Sequence, residues 1–277
     1  YFRSNRGLRQ GDPLSPTLFV VGGEVFSRAL NDLVLQVGFQ GFTVPRGCLA
    51  VTHLAFADDV LIFANGSARA LQKIVRVLDL YQQSSGQLIN RHKSGYVVHP
   101  SVSGARRGVI ERITGFPRQH TPICYLGFPL FFGKSKAAHY GEVSQTVLGR
   151  ILSWKTKFLS QGGKIVLIKH VLSSIPLHLL SASVIPASVF NVIERVCSNF
   201  LWGSTDRGNR YHWIRCDQLC FPKEEGGVGF RLLRDVYTTF SHKLWWKFRT
   251  RSSLWAVFLQ AKYCRRCYSC VTAPFPP

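Results

Sequence analysis

Two apolar runs, Leu49-Ala-Val-Thr-His-Leu-Ala-Phe56 and Val60-Leu-Ile-Phe63, enclose a short acidic centre at Asp58-Asp59. Runs rich in β-forming residues that break on a pair of aspartates predict an antiparallel hairpin with the carboxylates at its bend. Like charges held side by side repel unless a cation compensates. The chain has only 14 Asp and Glu against 35 Lys and Arg, so an adjacent acidic pair in an apolar setting calls for an explanation. Oxygen ligands suit Mg²⁺, which takes one or two carboxylates together with substrate phosphates. Two such ions about 3.5–4 Å apart can stabilise the attacking and leaving oxygens of a phosphoryl transfer. From spacing alone, a metal site and an ordinary Asp-Asp turn both remain open.

Charge narrows the choice of partner. The formal net charge of +21 self-repels unless something anionic neutralises it. From Leu80 to Ile193 there are 13 Lys and Arg against Glu111 and Glu142 alone, and no acid follows Asp235. Basic residues spread over so long a stretch of folded sequence fit a long polyanion better than a membrane surface. The uncharged stretch Val171 to Asn191 is interrupted by Pro176 and Pro186 and reads as a buried helical hairpin, with no membrane span expected. Eight scattered cysteines outside any short framework indicate a reducing, intracellular setting, nuclear or cytoplasmic. A chain without methionine reads as a piece of a longer protein.

The order of elements is helix, hairpin, helix, hairpin and then helices. Asp12-Pro13 predicts a helix start, and Leu14, Leu18, Val21, Val25, Ala29 and Leu33 predict its buried stripe. Gly22-Gly23 inside that helix is explained either by a closely packed neighbour or by decay of an unselected sequence. Ser67 can cap a second helix carrying Leu71, Ile74, Val75, Leu78 and Tyr81, and Gly86 can end it. Tyr96 to Val98 predicts a short strand and Ile123 to Leu130 a second hairpin. Further helices are expected through Tyr140 to Phe158, Ile165 to Ile175, Val189 to Phe200, Leu233 to Phe248 and Ser253 to Lys262. Glycine-rich Gly203 to Asn209 reads as a linker and Glu224 to Gly227 as a turn.

Several motifs resemble one family. His53-Leu-Ala-Phe-Ala-Asp-Asp59 with Val60 to Phe63 is similar to the Phe-Ala-Asp-Asp palm motif of non-LTR, LINE-type retrotransposon reverse transcriptases. Arg6-Gly-Leu-Arg-Gln-Gly-Asp-Pro-Leu-Ser-Pro16 looks like the motif before it, Ser85-Gly-Gln-Leu-Ile-Asn-Arg-His-Lys-Ser94 the one after it, and Tyr125-Leu-Gly-Phe-Pro-Leu130 the hairpin that grips the primer end. Trp154, Leu159 to Lys164, Val171 to Pro176, Ile185-Pro186 and Phe200 to Gly203 look like the thumb and connection of plant LINE-like elements, and Trp213 with Cys220 to Lys223 and Gly226 to Arg231 extends the similarity. The resemblance implies an α+β fold. A partial polymerase palm, its catalytic hairpin packed on helices, fills 1–133; a helical thumb fills 134–203; a basic, Trp-rich helical extension fills 204–277.

By the same resemblance Asp58 is a metal ligand and Asp59 its acidic partner, with two Mg²⁺ in the intact enzyme. Arg9, Gln10, Gly11, Pro13 and Ser15 contact template or nucleotide. Gln10 and Gly11 also fit a helix-start turn. Lys93 is a leaving-group acid or a phosphate ligand, or an exposed loop lysine; Tyr125, Leu126 and Gly127 are primer contacts or plain hairpin core. RNA template and DNA primer are the implied partners. The family's other metal-binding aspartate precedes Arg6, so the implied active form includes an upstream polymerase half, and this chain alone is expected not to polymerise. A non-catalytic, basic nucleic-acid-binding remnant is the alternative, and a nuclease would need more acids beside Asp58. Cys264, Cys267 and Cys270 lack a second separated pair, so zinc is not favoured. In Lys243 to Arg249, Leu244, Trp245 and Phe248 are expected in the core.

Overall fold

The computed structural model describes residues 11–153, 159–205, 208–209, 211 and 213–264. Small antiparallel hairpins set among helices make it an α+β chain with two compact units. The first unit runs to His120 and takes in the described residues from Ser252; the second is Thr121–Arg251. No helix among the described residues is long and apolar enough to cross a membrane.

In the first unit, α1 (Ser15–Asp32) is followed by a 3₁₀ turn, Leu33–Leu35. The hairpin β1 (His53–Phe56) and β2 (Asp59–Ile62) precedes α2 (Ala68–Ser85) and α3 (Gly104–Thr114). Helix α1 starts two residues later than Asp12-Pro13 predicted. Asp12 Oδ1 accepts from the Leu14 amide at 2.9 Å and so closes the turn before the helix, while Leu14 occupies the cap position without a side-chain bond. For α2 the prediction holds: Ser67 Oγ accepts from the Ala70 amide, and Gly86 closes the helix at φ 72°. Helix α3 was not anticipated, although Ser103 caps it and Gly115 ends it in the same manner.

The core of this unit joins Phe26, Leu30 and Leu33 to Ile74 and Leu78, with Val60, Ile62 and Tyr81 packed against them. The buried face of α1 therefore differs from the expected stripe. Leu14, Leu18, Val21 and Val25 are exposed, and only Leu33 of that stripe reaches the core. The helix is apolar nearly all round between Leu18 and Val25, so its periodicity could not say which apolar face would find a partner. Gly22 approaches α2: a Cβ there would lie 3.7 Å from Tyr81 Oη, whereas one on Gly23 would meet open space. Tyr96 makes only an isolated bridge to Arg118, not a strand. After Ser252, α10 (Leu254–Tyr263) is capped by Ser253, and the Val257 carbonyl accepts from Cys48 Sγ at 3.7 Å.

In the second unit, the hairpin β3 (Ile123–Tyr125) and β4 (Phe128–Leu130) leads to α4 (Gly141–Ser153), with Trp154 and Phe158 outside the described residues. Then α5 (Gln161–Leu167) passes into a π-helical turn, Ile168–Leu172, where the Ser173 amide reaches back to the Ile168 carbonyl. The expected helical hairpin over Val171 to Asn191 is instead the one-turn α6 (Leu177–Leu180), started by Pro176, and α7 (Ala187–Trp202), started by Pro186. The prolines set both helix starts and break what lies between.

The glycine-rich segment read as a linker pairs β5 (Ser204–Thr205) antiparallel with β6 (Gly208–Asn209). The short α8 (Cys216–Leu219), a 3₁₀ turn at Lys223–Glu225 and α9 (Leu233–Thr250) complete the unit. One core cluster gathers Tyr140, Leu180, Val189, Phe190, Ile193 and Leu233; the other gathers Val147, Ile168, Leu172, Phe200, Leu201 and Phe230. Leu244, Trp245 and Phe248, expected in the core, are only half-buried.

Candidate functional site

The register of the first hairpin pairs Phe56 with Asp59, Ala55 with Val60 and His53 with Ile62, leaving Ala57 and Asp58 as a two-residue bend. Ala57 holds φ 49°. Left-handed backbone of this kind costs a non-glycine residue about 1–2 kcal/mol, strain of a sort that collects at functional turns. Asp58 thus projects from the bend and Asp59 opens β2 beside it. Both are exposed. Among the described residues no ion pair engages either carboxylate.

Alternation along the strands gives the hairpin two unlike faces. Val60 and Ile62 pack on the core of α1 and α2, and His53 shares their face. Leu54, Phe56, Asp59 and Leu61 share the other, on which Phe56 is 64% exposed. An acid and two exposed apolar side chains therefore lie on one surface, next to Asp58.

A polar chain through the buried Thr52 fixes β1 on α1, and sequence reading assigned it no role. Thr52 Oγ1 donates to Asn31 Oδ1 at 2.6 Å. Its single proton is then used, so His53 Nδ1 at 2.9 Å donates to Thr52, and His53 Nε2 accepts from Ser27 Oγ at 3.0 Å. Burial lowers the His53 pKa from its usual 6.5. The folded chain therefore binds this proton less readily than the unfolded one. The contribution of neutral His53 is complete above pH 6.5 and is lost as pH falls through 6.5 toward the depressed folded value. The thermal midpoint of the wild-type chain is expected to fall between about pH 7.5 and 5.5. His53→Gln, which cannot titrate, should flatten that slope in a melting series; an unchanged slope would assign it to other groups. Ser27 and Asn31 are more than twenty residues from Thr52 and His53 in sequence, and only the helix spacing of the first two hints that they share a face.

The other expected site residues lie on separate elements. Gly11, at φ 87°, and Pro13 are exposed in the turn before α1, and Ser15 is the first residue of that helix. Arg9 and Gln10 lie outside the described residues. Lys93 is exposed in a turn built by Asn90, whose Oδ1 accepts from the His92 and Lys93 amides. No described hydrogen bond or ion pair joins it to Asp58 or Asp59. In the second unit, Leu126 and Gly127 form the bend of β3–β4 with φ 50° and 79°, the signs required by a type I′ turn. His178 Nε2 donates to the Leu126 carbonyl at 2.8 Å, and its ring lies 4.3 Å from that of Phe128. The Tyr125-Leu126-Gly127 tip is thus fastened to α6 through a histidine that the sequence did not single out.

Two oxygen-donor side chains fit a hard divalent cation. They do not complete a two-ion site: among the described residues no group of three or more His, Cys, Asp and Glu could hold a metal.

Residues 1–130 match the family model described as reverse transcriptase (RNA-dependent DNA polymerase). An Arabidopsis thaliana protein carrying a provisional ribonuclease H name is 36% identical over 125 residues, which cover 45% of this chain and 20% of that protein. An uncharacterized 149 kDa protein of transposon TX1 from Xenopus laevis is 27% identical over 242 residues, 85% of this chain and 17% of that protein. An uncharacterized mitochondrial protein of Arabidopsis thaliana is 46% identical over 55 residues, 20% of this chain and 45% of that protein. The chain thus spans about a fifth of the length of the first two relatives. The family model and the transposon relative agree with the hairpin and its acidic bend: residues 1–130 of the chain are similar to reverse transcriptases, and the longer match is to a transposon protein.

Proposed function

We propose that this chain supplies the palm carboxylates of a non-LTR, LINE-type RNA-directed DNA polymerase and acts there as part of a longer protein. The observation that carries the reading is the hairpin itself, which sets Asp58 at a strained bend and Asp59 beside it, both exposed and neither paired with a cation among the described residues. Members of the family generally use divalent metal ions. Here Asp58 is the direct ligand and Asp59 its acidic partner, and Mg²⁺ is the ion. When bound, the ions supply Lewis-acid stabilisation of the attacking and leaving oxygens in nucleotidyl transfer. The remaining acidic ligand comes from polymerase sequence outside the described residues. The exposed Leu54 and Phe56 suit a hairpin that a fuller palm covers.

The rest of the machinery follows the motifs. Arg9, Gln10, Gly11, Pro13 and Ser15 meet template or incoming nucleotide. Lys93, exposed in its turn, binds phosphate or protonates the departing pyrophosphate. Tyr125, Leu126 and Gly127 contact the primer. RNA template and DNA primer are the partners. Residues 1–133 serve as palm, 134–203 as thumb and 204–277 as a basic extension. A second reading, a non-catalytic basic module, is favoured by the lack of a third metal ligand among the described residues.

Primer extension separates the two. A longer chain that restores the upstream polymerase segment extends a DNA primer on an RNA template with dNTPs and Mg²⁺, and Asp58→Asn in it does not. Extension that survives Asp58→Asn would sink the palm reading.

A further inference from the structure

A concentration of positive charge lies on α2 of the first unit. A cleft of about 410 Å³ is lined by Val37 and Gly38, just after the 3₁₀ turn, and by Arg69, Gln72, Lys73 and Arg76 of α2. The cations fall at steps of four and three, so they share one side of α2 while Ala70, Leu71, Ile74 and Leu78 bury the other. Lys73 forms a fixed wall: its Nζ donates to Gln36 Oε1 at 3.1 Å and to the Val37 carbonyl at 2.9 Å. Arg69 and Arg76 are exposed, and none of the three cations enters a described ion pair. Asp79, the nearest acid along α2, accepts instead from Gln82 Nε2. Arg106 of α3 donates to the Asn65 carbonyl, just ahead of the Ser67 cap, and continues the basic strip past the helix start.

Three cations facing one cleft with no acid on it repel one another, and an anionic occupant relieves that repulsion. Guanidinium forks match phosphate oxygens. Arg69 and Arg76 are seven residues apart, about 10 Å along the helix axis, so their heads take two separate phosphates and not the two sides of one. The approach to the cleft is open at Gly38, where φ is 80° and a Cβ would meet nothing within 4 Å.

We infer that this cleft holds successive phosphates of a nucleic-acid backbone, giving the chain a binding surface on α2 that is built from different residues than the Asp58-Asp59 hairpin. Contacts are to phosphate, so the surface is indifferent to base sequence and independent of divalent metal.

The test uses the whole chain and a fluorescent 20-base-pair duplex in EDTA, with anisotropy titrations at several KCl concentrations. Each phosphate neutralised contributes about 0.9 to the slope of log affinity against log salt. Arg69→Ala/Arg76→Ala should weaken binding at least tenfold at low salt and make the slope shallower by about 2. Lys73 stays in place because it holds the Gln36–Val37 turn. Because the titrations contain EDTA and no dNTPs, they read this cleft without the chemistry of the hairpin, so failure here is separable from failure of the polymerase reading. A folded double variant, with wild-type circular dichroism, that keeps the wild-type slope overturns the inference. So does a variant that loses binding of ATP alone while its duplex slope is unchanged, since the cleft would then serve a free nucleotide.

Discussion

Asp58→Asn in the longer polymerase is expected to lower primer extension by about three orders of magnitude, close to 4 kcal/mol of transition-state stabilisation. Its thermal midpoint should stay within about 2 °C of wild type, because an exposed substitution away from packing changes stability by about 0.5 kcal/mol or less. Asparagine keeps the shape of the side chain and removes the charge that a hard cation needs. Asp59→Asn should have a smaller effect, as a neighbouring acid and not the direct ligand. Asp79→Asn is the control: it removes one exposed carboxylate from α2, where Gln82 is its described partner. Steady-state extension rates for the three variants separate the position of the charge from its amount. Equal losses in all three would mean that net charge, and not the hairpin, governs the reaction.

The second large effect concerns the fold that carries the hairpin. Leu30→Ala should destabilise the first unit by about 2–5 kcal/mol, a large share of the about 5–15 kcal/mol that holds a domain together. Leu30 is 1% exposed between Phe26, Leu33, Ile74 and Leu78. Leu18→Ala, at a side chain 51% exposed, should change stability by about 0.5 kcal/mol or less. Urea melts of the two variants of this chain decide which face of α1 is the core face. Comparable losses would restore the Leu14 to Val25 stripe to the interior.

Local chemistry that the sequence carries in full was legible. The two apolar runs around Asp58-Asp59 specified a hairpin because nothing else satisfies β-forming residues that stop on two acids. Ser67 and Gly86 specified both ends of α2 because each supplies what a helix end lacks. What was not legible depends on contacts between distant elements. The face of α1 was ambiguous because Leu18, Val21 and Val25 are as apolar as Phe26, Leu30 and Leu33, and only packing against α2 discriminates. Helix α3 went unread because Arg106, Arg107, Glu111 and Arg112 dilute its apolar pattern, leaving Ile110 as its one buried residue.

The site divides in the same way. Asp58 and Asp59 stood out in the sequence because two adjacent aspartates there interrupt an apolar run in so basic a chain. Ser27, Asn31, Thr52 and His53 were missed because their network exists only once β1 lies on α1. His178 was missed because nothing near it in sequence announces the Leu126 carbonyl it meets. The basic side of α2 was present as Arg69, Lys73 and Arg76, but a solvated helix face has the same spacing, and only the fold shows that Val37 and Gly38 line a cleft with it.

The central claim is that the hairpin bend holds the divalent metal. It is tested most directly by adding trace Mn²⁺ to the isotopically labelled chain bound to primed duplex and reading which backbone amide resonances broaden first. The account predicts broadening centred on Ala57, Asp58 and Asp59 that disappears in Asp58→Asn. Broadening centred elsewhere, or unchanged by that substitution, would contradict it.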